Sequence, residues 1–338
     1  MARWEQHDRD RALYARWVAS WLPERIFDAH AHLYHRRHYA PQPEPWYLDD
    51  GVDAYGYAEY LRTIEWLHPG QRTRGGLFFG LAFLGDRAGN NAFVAAELAA
   101  ARAAGAPAYG ALLVSPDDDA EQVRAQVRRE GWRGLKCYHV MARVAGPTFH
   151  APIEAYLPEP LVAVAHDERL TITLHMVRDR ALADPVNQAT IQRYCRAYPD
   201  MRLILAHAAR GFNPWHTIEG IHSLAGLDNV YFDTSAVTEA GAFEAIIETM
   251  GVGRLLYGTD YPVSQIRGRC VALGDSFHWL YADQMDLHEK HAGLEPVLIG
   301  LESLRSLGLA FQRLRLGAPE LAAIFWGNAA RLFSIAGE

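Results

Sequence analysis

His30 and His32 stand one residue apart at the end of an apolar run, in RIFDAHAHLYHRRH, residues 25–38. On a strand, side chains i and i+2 leave from the same face, so both imidazoles point to one side of the element that carries them. Two buried imidazoles side by side are poor core residues, but together they chelate a divalent cation well. Taken alone, such a pair is more often structural than metal-binding. Four further apolar runs change the balance. RGLKCY carries Lys136, LTITLHM carries His175, RLILAH ends at His207 and RLLYGTD ends at Asp260. A single buried histidine is usually satisfied by backbone. Polar, metal-competent groups at the ends of four more runs point instead to a metal centre.

These runs belong to a longer alternation. Short apolar segments at 25–32, 76–83, 108–114, 133–138, 170–176, 202–207, 229–235 and 254–260 are separated by stretches with helical spacing of apolar residues. Strands alternating with crossover helices imply a parallel sheet, and eight such units imply an α/β fold closed into a (β/α)8 TIM barrel. No glycine-rich dinucleotide fingerprint follows the first run, which weakens an open doubly wound sheet. In a barrel all the chemistry-bearing run ends meet at one mouth. A single domain over 1–338 is expected, with an amphipathic helix within 1–24 carrying Trp4, Leu13, Trp17 and Trp21. Two segments break the repeat: a Pro- and Tyr-rich loop at 33–51 and a long insertion at 261–317. The insertion is expected to hold helices around DSFHWLYADQM and PVLIGLESLRSLGLAFQ. Both segments should lie at the catalytic face, as walls of a pocket or as an oligomer interface.

Composition excludes some classes of partner. Of 338 residues half are apolar, and 33 Lys and Arg against 40 Asp and Glu give a net charge of −7 with no long basic run. Nucleic-acid binding is not expected. The N-terminal stretch is too charged for a signal peptide or a membrane span, so no membrane association is expected. Three cysteines form no framework, which fits a reducing, cytoplasmic setting. The expected partner is a small-molecule substrate, with a homo-oligomer left open.

FDAHAHL, LTITLHM, YPDMRLILAHAARG, RLLYGTDYPV and IFWGNAARLF together resemble the amidohydrolase superfamily of metal-dependent hydrolases, in its amidohydrolase-related branch, over most of the chain. The resemblance implies a catalytic divalent metal held by His30, His32, His175 and Asp260. His207 would be a second-metal ligand or an acid/base that touches substrate. Lys136 could be a ligand only if carboxylated, because a bare ammonium cannot ligate a cation. One or two ions fit this set; zinc suits imidazoles with a carboxylate, and manganese is the substitute.

Other residues are read around that centre. Asp28 lies deeper on the same face and is expected to be structural, and Cys137 is expected to be an inert core thiol. Tyr138 and His139 are candidate substrate contacts. Arg178 and Arg210 each follow a histidine by three residues. Their guanidinium forks would suit a substrate carboxylate or phosphate, the alternative being salt bridges to loop acids such as Asp179. Phe212, Trp215, His278 and Trp279 are candidates for an aromatic wall. The expected reaction is hydrolysis of a small anionic amide, lactone or related carbonyl compound, with Asp260 carrying the proton and His207 steadying the oxyanion. The alternative is non-oxidative decarboxylation of an aromatic or unsaturated acid. A catalytically silent barrel is a third reading, which the intact ligand set argues against.

Overall fold

The computed structural model describes residues 5–40, 51–82, 85–284 and 295–335. Its core is a sheet of eight parallel strands: β1 (Ile26–His32), β2 (Thr73–Phe79), β3 (Ala108–Leu113), β4 (Gly134–Tyr138), β5 (Thr171–His175), β6 (Arg202–Leu205), β7 (Val230–Asp233) and β8 (Leu255–Leu256), paired in that order. All eight expected strands are present. The sheet closes on itself: Ala29 N–H donates to the Tyr257 carbonyl, Asp260 N–H to the His30 carbonyl and His32 N–H to the Tyr261 carbonyl, each at 2.8 Å. The fold is therefore the TIM barrel that the alternation implied.

The strands read as nearly continuous apolar runs because both faces are covered, by helices outside and by side chains inside. Phe27, Leu77, Ile204 and Leu256 fill the interior together with Trp326 and Phe333. The last two come from the closing helical segment, Ala318–Ala322, a π turn at Ala323–Gly327, and Asn328–Phe333. Phe333 stacks on Phe27 at 5.4 Å between ring centroids. One end of the barrel is thus plugged by apolar packing, and the buried polar residues gather at the other.

The N-terminal helix is observed as α1 (Asp8–Trp17), with Trp4 outside the described residues. It is tied to the body by Asp10, whose fully buried carboxylate takes two hydrogen bonds from Arg267, at 3.0 and 2.6 Å. The loop after β1 is described to residue 40, and the remainder of it through residue 50 lies outside the described residues.

The segment after β8 differs from the two helices expected of it. Most of DSFHWLYADQM is not helical: β9 (Gly268–Leu273) and β10 (Ser276–Tyr281) form an antiparallel hairpin in which Leu273 pairs with Ser276, followed by a single 3-10 turn at Ala282–Gln284, and Met285 lies outside the described residues. The cause is the two-residue turn Gly274-Asp275, with Gly274 at φ +57°, flanked by alternating residues. The second stretch is helical, as expected, at Ile299–Leu314. It packs on the outer ring beside Ala240–Met250, with Arg313 paired to Glu244 at 2.9 Å. Among the described residues the hairpin reaches the mouth, where Trp279 packs 5.3 Å from Phe212. Among the described residues no helix is long and apolar enough to cross a membrane.

Breaking a buried ion pair by removing one partner leaves an uncompensated charge, at a cost of about 3–5 kcal/mol. Asp10→Ala should therefore lower the unfolding free energy by about that amount in denaturant titrations. A loss below about 1 kcal/mol, the range of exposed pairs, would show that α1 is not clamped to the barrel by this pair.

Candidate metal centre

The mouth is assembled by the closing seam. Asp260 sits opposite β1 because its N–H is held by the His30 carbonyl while His32 N–H is held by Tyr261, the next residue. The carboxylate is thereby delivered between the two inward-facing imidazoles: Asp260 Oδ1 lies 3.0 Å from His32 Nε2 and 3.3 Å from His30 Nε2. The chain leaves β6 through a left-handed turn, with φ between +52° and +61° at His207, Ala208, Ala209 and Arg210. Left-handed backbone costs a non-glycine residue roughly 1–2 kcal/mol, and such outliers cluster at functional sites. Asp260 and Arg178 also have positive φ, at +61° and +75°. The turn after β6 is stapled by the His207 N–H, which donates to Asp233 Oδ1 at 2.8 Å.

The outer hydrogen bonds decide which ring nitrogen of each histidine carries the proton. A backbone carbonyl can only accept, so His32 Nδ1, 3.2 Å from the Gly80 carbonyl, bears the hydrogen. His30 Nδ1 donates to Asp233 Oδ2 at 2.8 Å. His207 Nδ1 donates to Ser235, 3.0 Å from its carbonyl and 2.9 Å from its hydroxyl. In their neutral forms the Nε2 atoms of His30 and His32 then present lone pairs to a carboxylate oxygen. Electron-rich atoms facing one another at this distance need a cation or a proton among them. His30, His207 and Asp260 each offer a donor atom within 4.8 Å of the others, and all three residues are buried. The donor set fits a divalent metal, with each ring oriented from behind by a carboxylate or carbonyl.

Electrostatics favour the ligand-ready state. Burial lowers both His32 and His207 to about 4, although Asp260 pulls the other way in each case. His175 is held well below its ordinary value by burial and by His207. In His30, burial and Lys136 lower the pKa, but Asp233 and Asp260 outweigh them and raise it. Burial would raise the carboxylates of Asp233 and Asp260, yet the surrounding histidines hold both well below the usual range. At neutral pH His32 and His207 are thus neutral beside two ionised carboxylates, and His30 is the imidazole that these carboxylates favour most in its protonated form.

His175 adjoins through its Nδ1, 3.0 Å from His207 Nε2. The group of three donors contains His207, which was expected as a second-metal ligand or as an acid/base that touches substrate. Lys136 is fully buried, its Nζ over the rings of Phe79 and Tyr138 at 4.5 and 4.7 Å and without a hydrogen-bond partner. Burial pushes it down to about 8, against the attraction of Asp233 and Asp260. The Tyr138 hydroxyl is 3.4 Å from His32 Nδ1, and His139 binds the Thr148 hydroxyl through Nδ1 at 3.1 Å. Arg178 is engaged elsewhere, by Asp184 at 2.8 Å and the His150 carbonyl at 2.9 Å. Its partner is a loop acid, though not Asp179. Arg210 is buried at the mouth with no carboxylate in ion-pair contact among the described residues, although the charge of Asp179 reaches it.

Asp28 is structural, as expected: it accepts from Thr259 N at 2.9 Å, Thr259 Oγ1 at 2.5 Å and the Tyr60 hydroxyl at 2.9 Å. Burial raises it to about 6 in spite of these bonds. Asp233 was missed by the sequence reading. It closes NVYFDTS, an apolar run, just as the other site residues do, and that signal was available. Ser235 Oγ donates to Asp233 Oδ1 at 2.5 Å, which completes the support behind His30 and His207. A cavity of about 860 Å³ opens at the opposite, plugged end, lined by Arg74, Tyr109 and Trp326 among others. It contains none of these groups, so the chemistry lies at the mouth.

Residues 27–335 match the model of the amidohydrolase family. The chain belongs to this family. L-fucono-1,5-lactonase of Burkholderia ambifaria is 28% identical over 179 residues, 44% of this chain and 59% of that protein, so the match spans less than two thirds of the relative's length. A protein of Pseudomonas putida proposed to be a 2-pyrone-4,6-dicarboxylic acid hydrolase has a similar structure, with a TM-score of 0.59 at 18% identity, covering 94% of this chain and 100% of the other. A dihydroxybenzoic acid decarboxylase of Polaromonas sp., solved with manganese and the inhibitor 2-nitroresorcinol, gives a TM-score of 0.58 at 14% identity, covering 93% and 98%. The two structures establish the shared fold, and a shared fold does not choose between their two reactions.

The hydrogen bond from His30 to Asp233 makes a direct prediction. Asp233→Asn should leave the chain folded but weaken divalent-metal affinity by about ten- to a hundredfold, the scale found when the group behind a metal-binding histidine is removed. Competition with a chromogenic chelator measures it. An unchanged affinity would mean that His30 is not a ligand or is oriented by something else.

Proposed function

We propose that this chain is a metal-dependent hydrolase of a small, anionic carbonyl compound, such as a lactone or an amide. The observation that supports it most directly is the arrangement of His30 and His32, whose inner nitrogens face Asp260 at 3.3 and 3.0 Å while their outer nitrogens are already committed. A divalent metal bound there would polarise the carbonyl and activate water for attack. Zinc suits the donors, and manganese, bound in the decarboxylase neighbour, is the substitute. One ion is the simplest fit, since Lys136 makes no hydrogen bond and lies over two aromatic faces, not within the donor group.

Asp260 would accept a proton from the attacking water and return it to the leaving group. Its carboxylate is ionised, buried and within reach of three imidazoles, and its second oxygen lies 4.0 Å from His207 Nδ1. Two roles were expected of His207, a second-metal ligand or an acid/base that steadies the oxyanion. Its Nδ1–H is already spent on Ser235, so Nε2 carries a lone pair and cannot donate to an oxyanion. A ligand role suits it better. Tyr138 and His139 stand at the same rim and would contact substrate. The lactonase relative supports ring opening, and the decarboxylase neighbour supports the alternative, loss of carbon dioxide.

Product analysis tests this reading. Over a panel of carboxylate-bearing lactones and amides and of aromatic acids, turnover should add water, be lost on chelation and return with metal. Asp260→Asn should reduce it by at least about a hundredfold with the fold intact. Carbon dioxide released from an acid substrate would establish the decarboxylase alternative. Near-normal turnover in Asp260→Asn would contradict the proton-carrying role.

A further inference from the structure

Arg210 is a buried cation with no carboxylate in ion-pair contact among the described residues; Asp179 acts on it only from longer range. The residue is 8% exposed, and its guanidinium makes one hydrogen bond, from Nη1 to the Arg178 carbonyl at 2.9 Å. Its Nε is buried without a partner, and among the described residues no carboxylate pairs with it. A guanidinium carries five N–H donors, and an unpaired buried charge is costly. Arg178, by contrast, is already neutralised by Asp184. Of the two arginines that the sequence offered for an anionic group, only Arg210 has no carboxylate in ion-pair contact among the described residues. Its charge is felt by His139 and His175, which places it on the His175 side of the centre.

The hairpin supplies the second observation. Side chains alternate along β10, so Phe277, Trp279 and Tyr281 share one face, and all three are partly buried against the body. The Arg210 guanidinium lies 5.1 Å from the centre of the Phe277 ring. Phe277 is 5.0 Å from Phe212, which packs 5.1 Å from the His207 ring. Trp279 meets Phe212 at 5.3 Å and stacks with Tyr281 at 5.7 Å, and the charge of Asp260 reaches Tyr281. A wall of rings therefore runs from the unpaired guanidinium to the candidate metal centre.

We propose that Arg210 and this wall form a subsite for a planar, conjugated carboxylic acid. The carboxylate takes the free donors of Arg210, the ring lies against Phe212, Phe277 and Trp279, and the reacting end is directed to His207 and Asp260. The subsite rests on the proposed function only for where the reaction occurs. A flat ring offers its face to aromatic side chains, which a puckered, saturated ring of the same size cannot match. The inference therefore separates a conjugated substrate from a sugar-like lactone.

Binding of unreactive probes tests the subsite without turnover. Benzoate, its neutral isostere benzamide, and cyclohexanecarboxylate are titrated calorimetrically into the protein as purified. Benzoate should bind at least about tenfold more tightly than benzamide, the scale of one charge-assisted contact, and several-fold more tightly than cyclohexanecarboxylate. Arg210→Met should abolish the first preference and Trp279→Leu the second. Should Arg210→Met fail to fold, Arg210→Lys, which keeps the charge but loses the fork, should narrow the first preference. Equal binding of benzoate and benzamide, or a preference that survives Arg210→Met and vanishes on chelation, would overturn the proposal by moving the carboxylate elsewhere. Absence of turnover or of metal would count against the hydrolase reading and leave these preferences unchanged.

Discussion

The structure depends on one constraint, the closure of the barrel between β1 and the segment after β8. Three backbone hydrogen bonds of 2.8 Å hold that seam, and two of them flank Asp260. A strand pair fixes register, and register fixes which side chains face each other. Were the seam to slip by one residue, Asp260 would no longer lie between His30 and His32. Asp28, one step deeper on β1, ties the same seam through Thr259 and reaches Tyr60 on the helix Tyr57–Ile64. The site is thus held by rigid strands, and the fold's most conspicuous buried carboxylate serves its alignment.

Local rules are broken at the mouth. Four consecutive left-handed residues follow β6, a lysine is buried without a hydrogen bond, and a guanidinium is buried with no carboxylate in ion-pair contact among the described residues. Each costs free energy that the packed barrel offsets. Clustering of such costs at one end of a structure is what a functional site produces, because strained backbone and unpaired charge are retained where a ligand uses them. Among the described residues the plugged end shows no comparable cluster: Phe27, Trp326 and Phe333 pack there by apolar contact.

Much of this was legible in the amino-acid sequence, for definite reasons. Strand ends were readable because an apolar run stopped by His, Lys or Asp is rare in a covered parallel sheet. Asp233 carried the same mark and was passed over because its run contributes no familiar metal pair. The hairpin was misread because SFHWLY has both alternating and helical spacing, and only the Gly274-Asp275 turn separates them. Arg178 and Arg210 are equivalent in sequence, each three residues after a histidine. Their difference lies in Asp184, which caps the helix Pro185–Ala197 and reaches Arg178 alone. Which proton each imidazole carries was likewise out of reach, since it is set by Gly80, Asp233 and Ser235, distant in sequence.

The central claim is that the inner nitrogens and Asp260 form a cation site. Titrating chelator-treated protein with zinc, while following unfolding in denaturant, tests it most directly. The account predicts saturation at about one ion per chain and a stabilisation that grows with free metal, by about 2.7 kcal/mol at a hundredfold excess over the dissociation constant, absent in His30→Ala. No uptake, or uptake that leaves unfolding unchanged and persists in His30→Ala, would contradict it.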